Sequence, residues 1–256
     1  MKLDYRSVEN ALSGCRWGQT ILTFECIAST MDKARALAHK GAPEGTLVVA
    51  AEQTAGRGRL TRSWLSPAGS LSLSLLLYPS PDKLPYLTML AGLAVAQSIE
   101  RTTSLRTDLK WPNDVLIDSR KVAGILVESG MVRGRHFAVL GIGINVNVDI
   151  SGYPEIADIA TSLSDEAGSP VDAMALLRAA VVSLETLYTE FSVSAILQDW
   201  RKKLVTLGKP VRATLGDTVI EGMAIDITDD GALVIRQSDG NDYVVVAGDV
   251  TLRHAV

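Results

Sequence analysis

Along this chain the apolar positions fall into short continuous runs and into stripes of helical period, and each kind predicts a different element. ILTFECIAS, TLVVA and SLSLSLLLYP read as strands. STMDKARALAHKG reads as a helix begun by Ser29 or Thr30 and stopped by Gly41. PDKLPYLTMLAGLAVAQSIER is apolar almost all round, which predicts a helix buried against a sheet. LRTDLKWPNDVLIDSRKVAGILVES predicts two or three strands with a tight turn at Asp118 to Lys121, and GMVRGRHF turns into a further strand, AVLGIGINVNV.

From Pro170 the period changes. Val171, Met174, Leu177, Val181, Leu184, Tyr188 and Phe191 form one helical stripe that should pack on the sheet, and SAILQDWRKKLVTLG is a second helix ending at Gly208, with Pro210 just beyond. A boundary falls there. The remaining residues read as four short strands, VRATL, TVIEGMAIDIT, ALVIRQ and YVVVAG, forming a small all-β barrel-like module. The expected organisation is a leader over 1–20, a mixed α/β unit over 21–208 and a β domain over 209–256. The fold class is α/β (α+β), with a mixed central sheet packed by helices.

Composition narrows this picture. With 47% hydrophobic and 21% charged residues and a net charge of −4, the chain is globular and has no global field for nucleic acid or an acidic membrane. Neither a signal peptide nor an apolar run of bilayer length is present in the sequence. Cys15 and Cys26 have no partners at metal-ligand spacing and fit a reduced, cytoplasmic setting as packing thiols. His39, His136 and His254 form no metal-binding cluster, and His39 suits a helix carboxyl end better than catalysis.

The chemistry concentrates in the loop Ala51 to Trp64, AEQTAGRGRLTRSW, where Gly56 and Gly58 alternate with Arg57 and Arg59. Glycines let successive N–H groups face one concavity and arginines supply forked cationic donors, so the loop suits a polyanion; a solvated turn is the plainer alternative. Arg57, Arg59, Arg62, Lys110 and Lys121 are five cations beside Gly-rich backbone, which favours a nucleotide triphosphate over scattered surface ion pairs. Asp114 suits Mg²⁺ or an incoming amine, or else a turn, and Trp64 suits a purine face or simple packing. Gly124, Gly141 and Gly143 remove side chains where backbone, strand or ligand must approach. GIGINV lacks the third glycine and the following helix of a dinucleotide fingerprint.

Taken together, GRGRLTRSW, KWPNDVLIDSRKVAGILVE and GIGINVN, in this order, resemble the biotin protein ligases, also called biotin–acetyl-CoA-carboxylase ligases, from about Ile21 to the end. The resemblance implies a catalytic domain related to lipoate ligases and an SH3-like carboxyl-terminal domain. It implies two reactions: biotin and MgATP give biotinyl-5′-AMP, and the biotinyl group then passes to a lysine of a biotin carboxyl carrier protein. By motif position, Lys121 matches the lysine bridging biotin carboxylate and α-phosphate, Arg59 and Arg62 the phosphate clamp, and Arg57, after Gly56, a loop position whose backbone faces biotin. Ser29, Thr30 and Gln53 match residues reading the ureido ring, and Gly124 and Gly143 match backbone closing over biotin. Trp64 and Asn145 match adenine contacts, with Lys110 and Asn113 near the nucleotide; Asp114 is the candidate for metal and for the acceptor amine. Members of the family often pair an edge strand of the catalytic sheet across a two-fold axis as a homodimer, and the sequence leaves monomer or dimer open.

The chain departs from the family pattern at Thr61, where glycine is usual, and at Met31, where asparagine is usual after Ser-Thr. No winged helix precedes the catalytic segment, so binding to DNA is not expected. Rival readings are a lipoate ligase, against which KWPND and RKVAGIL argue, and a non-catalytic biotin or adenylate sensor, against which Lys121 argues.

Overall fold

The computed structural model describes residues 3–60, 62–246 and 249–252. Thr61 and His254 lie outside the described residues. Seven strands make the main sheet: β1 (Ile21–Ile27), β2 (Leu47–Gln53), β3 (Ser70–Leu77), β4 (Asp108–Lys110), β5 (Asp114–Ile117), β6 (Arg120–Val132) and β7 (Arg135–Asn145). Their order is β1-β2-β3-β7-β6-β5-β4, with β1 and β2 parallel and every other neighbour antiparallel. The expected mixed sheet is therefore present. The turn between β5 and β6 holds Asp118 and Ser119 at positive φ, the geometry of a two-residue hairpin.

Helices cover both faces. On one face α2 (Thr30–His39) packs Met31, Ala34 and Ala38 on Val48, Leu76 and Val139, and Ser29 is its cap, accepting from the Asp32 N–H at 3.3 Å. On the other face lies α3 (Leu87–Thr103), which needs apolar residues all round because the sheet is on one side and α5 (Ala173–Thr189) and α6 (Val193–Lys203) are on the other. Trp200 of α6 lies against Gly92, where a Cβ would stand 2.7 Å from the indole, so only glycine permits this approach. The short α4 (Leu163–Ala167) ends on Gly168 in the left-handed region.

The first twenty residues contain a helix that the hydrophobic pattern does not separate from a leader. Asp4 caps α1 (Tyr5–Ala11), and Leu3, Val8, Leu12 and Trp17 are buried in the main core. Arg178 of α5 donates to the carbonyls of Ala11 at 2.7 Å and Ser13 at 2.9 Å, holding this segment to the body. After α6 come β8 (Pro210–Leu215), β9 (Thr218–Ile227), β10 (Leu233–Arg236), β11 (Asp242–Val245) and β12 (Asp249–Leu252). They form an antiparallel sheet ordered β11-β10-β9-β8-β12, one strand more than the four runs read from the sequence. Among the described residues no helix is long and apolar enough to cross a membrane.

Candidate active site

Register builds the site floor. One row of directly paired residues crosses the sheet, Ala50, Ser72, Gly143, Gly124, Asp114 and Lys110, each on a different strand from β2 to β4. Paired residues share a face, so a neutral hydroxyl, two bare backbones, a carboxylate and an ammonium follow one another at strand spacing, roughly 4.8 Å per step. The segment between β2 and β3 folds over this row and encloses a cavity of about 150 Å³.

At the Ser72 end the polar groups are neutral and connected. Ser74 donates to the Thr30 hydroxyl at 2.9 Å, and that hydroxyl donates to Gln53 Oε1 at 3.0 Å. The same Oε1 accepts the Thr30 N–H at 2.8 Å, while Gln53 Nε2 donates to Ser72 at 3.2 Å, and Ser66 lies 2.7 Å from Ser72. Ser29, Thr30 and Gln53 thus share one wall. Sequence reasoning missed Ser72 and Ser74; their signal is the strict Ser/Leu alternation of SLSLSL, which turns three serines onto one buried face. Met31 lines the same wall, and its sulfur sits where a Cβ on Gly141 would come within 2.5 Å.

The opposite end is charged. Lys121 Nζ lies 2.6 Å from Asp114 Oδ1 and 5.2 Å from the centre of the Trp64 ring. The Lys121 main chain is gripped on both sides, its N–H donating to Ile159 O at 2.8 Å and its carbonyl accepting from Thr161 N at 2.9 Å. Arg57, Arg59, Arg62, Lys110 and Lys121 all line the cavity, and among the described residues Asp114 is the one carboxylate in that lining. Arg120, by contrast, pairs with Glu166 at 2.6 Å, which separates it from the neighbouring Lys121.

Trp64 occupies the middle of the row. Its indole lies on the two glycines: a Cβ on Gly143 would stand 2.4 Å from Nε1, and one on Gly124 3.1 Å from the ring. Nε1 is buried without a hydrogen-bond partner among the described residues. The residue matched to adenine and the glycines matched to biotin therefore meet at one spot. Gly56 lies outside the cavity lining and serves the loop's own pairing, since a Cβ there would stand 2.4 Å from the Trp64 carbonyl. Asn145 also lies outside the lining, buried with Nδ2 donating to Thr161 O at 3.0 Å. Asn113 lines the cavity while its Nδ2 donates to Ile125 O at 2.8 Å.

The KWPND segment is held from the carboxyl-terminal side. Buried Trp111 donates through its main-chain N–H to Thr206 Oγ1 at 2.9 Å and through Nε1 to Gly231 O at 3.0 Å, and Val250 of β12 reaches the cavity wall. No local sequence signal marks these long-range contacts.

Among the described residues no three of His, Cys, Asp or Glu come together as a metal-binding group. Asp114 alone beside cationic side chains fits a Mg²⁺ that arrives on a nucleotide, because such an ion takes most of its ligands from phosphate and water and one or two from carboxylate.

Residues 23–145 match the model of the biotin/lipoate A/B protein ligase family, and residues 206–253 match the biotin protein ligase C terminal domain. The chain is 39% identical over 247 residues to the bifunctional ligase/repressor BirA of Bacillus subtilis, covering 93% of this chain and 76% of that protein. It is 33% identical over 260 residues to the biotin–[acetyl-CoA-carboxylase] ligase of Mycobacterium tuberculosis, covering 97% and 95%. Among solved structures it is similar to the biotin protein ligase from Aquifex aeolicus in complex with biotin and ATP, with a TM-score of 0.76, 31% identity, and 93% and 100% of the two chains covered.

Proposed function

Because this chain belongs to the biotin/lipoate A/B protein ligase family, we propose that its cavity joins biotin to ATP and delivers the biotinyl group to a protein lysine. One observation carries the reading: a single cross-strand row joins a neutral Ser/Thr/Gln wall to a cationic end with glycine backbone between them. From Ser72 to Asp114 the row spans three strand spacings, roughly 14 Å, a length suited to a compact ring with an extended carboxylate tail. Thr30 and Gln53 offer the uncharged donors and acceptors that a cyclic urea requires.

In the first step the biotin carboxylate attacks the α-phosphorus of ATP, the bond to the β-phosphate oxygen breaks, and pyrophosphate leaves. Negative charge builds on the transferring group. Lys121, fixed by Asp114 and by its gripped main chain, is the cation placed to stabilise it, with Arg59 and Arg62 on the phosphates. A bound Mg²⁺, held by ATP and Asp114, would neutralise phosphate charge. In the second step a neutral lysine amine of a carrier domain attacks the acyl carbon and AMP leaves; Asp114 orients that amine and takes up its proton.

Pyrophosphate exchange tests the first step, with exchange expected on biotin and not on lipoate. Exchange on lipoate alone would overturn the substrate. Mass spectrometry of a purified carrier domain, showing one biotinyl group added at one lysine, tests the second.

A further inference from the structure

The segment covering the cavity is a ribbon tied to itself. Trp64 N–H donates to Gly56 O at 2.9 Å and Gly58 N–H to Arg62 O at 2.7 Å, while its base is fastened to the end of β1 through Thr54 N–H to Ile27 O at 3.0 Å and Ala55 N–H to Ala28 O at 2.9 Å. From this ribbon Arg57 reaches back to the body. Its Nη2 lies 3.0 Å from Asp32 Oδ1 on α2 and 3.1 Å from Glu128 Oε1 on β6. Arg35 of α2 touches the same two carboxylates, Glu128 at 3.2 Å and Asp32 by a short contact. Two acids and two guanidinium groups therefore alternate in a closed ring of charge.

We propose that Asp32 and Glu128 are positioning residues that latch the ribbon shut through Arg57, so that this ring sets how long an activated intermediate stays enclosed. The inference rests on the adenylate reading above. Arg35 holds the two carboxylates together from the body's side, so the receptor for Arg57 stands ready on a helix and a strand while only Arg57 moves with the ribbon. The ring is partly exposed, with the Asp32 side chain at 50% and Glu128 at 27% of full accessibility. Solvent screening keeps such pairs weak and salt-sensitive. Weak pairs suit a cover that must also open, because a mixed anhydride needs shielding from water, yet the ribbon has to lift for ligand entry and for the acceptor amine. With its guanidinium turned to these acids, Arg57 leaves the phosphates to Arg59 and Arg62.

The test is the full-length Asp32→Asn/Glu128→Gln double variant, with Arg35→Gln as comparison. Two rates are read: release of biotinyl-5′-AMP, and trypsin cleavage within the ribbon of the ligand-free protein, located by mass spectrometry. Both should rise roughly threefold to tenfold in the double variant, the factor expected from two partly exposed ion pairs. In the wild type both rates should rise with ionic strength, and in the double variant that rise should disappear. Arg35→Gln leaves Arg57 both acids and only loosens their placement, so it should raise the two rates less than the double variant does. Unchanged release and cleavage in the double variant would overturn the latch, as would Arg35→Gln speeding both equally, because the acids would then act on the fold and not on the ribbon. If the wild type forms no adenylate, the ligase reading fails and cleavage alone decides: faster cleavage in the double variant sustains the latch, and equal cleavage overturns it.

Discussion

Gly143 shows how small a change at one residue can matter. Its missing Cβ is the space in which the Trp64 indole lies, 2.4 Å from where that atom would be. Gly143→Ala should push the indole off the floor at a cost of roughly 1–3 kcal/mol. Calorimetry should read this as biotin affinity weakened about tenfold to a hundredfold, with circular dichroism unchanged. Lys121→Ala should lower biotin-dependent pyrophosphate exchange by about 10² to 10³, the usual scale for losing one preorganised charge partner of a transition state. Wild-type exchange in that variant would remove Lys121 from the chemistry. The glycines and lysine were legible as a motif because backbone approach and charge both leave marks in residue type. The turning of Arg57 toward Asp32 and Glu128 was not, since a guanidinium's direction depends on partners distant in sequence.

At the scale of elements, strands and long helices were legible because burial on two faces writes continuous apolar runs and burial on one face writes a stripe. The short α1 and β12 were not, being brief pieces stabilised by what they dock on. The junction of α3, α6 and β4 carries a testable electrostatic contact. Glu100 Oε1 accepts from Thr107 N at 3.1 Å, Thr107 Oγ1 at 2.8 Å and Lys203 Nζ at 2.5 Å. Burial pushes its carboxyl up, but the hydrogen bonds from Lys203 and Thr107 and the charge of Lys203 outweigh that and hold it below the ordinary glutamate value. A lowered folded value means the contact stabilises fully above the unfolded carboxyl value and is lost as pH falls through the folded one. Glu100→Gln should therefore cost about 1 kcal/mol near neutrality, and urea unfolding in strong acid should show the two proteins converging.

Across the whole molecule, the catalytic sheet and the terminal sheet meet at Trp111. Thr206 is fully buried and accepts the Trp111 main-chain N–H, so Thr206→Val would leave that donor enclosed and unanswered. The expected loss is about 1–3 kcal/mol in denaturant midpoint analysis, accompanied, on the proposed role of Lys110 and Asn113, by weaker ATP binding, because these two flank the displaced residue. This joint was illegible in the sequence, where KWPND shows polar residues and a family motif but nothing that names the distant partners of its tryptophan.

The bond from the Trp111 indole to Gly231 also spans 120 positions of the chain. On a ribosome the tryptophan emerges on the order of ten seconds before its acceptor, at ordinary elongation rates. Until Gly231 has emerged and docked, the Trp111 indole lacks its acceptor. Nascent copies shorter than that hold KWPND, and with it one wall of the cavity, less firmly.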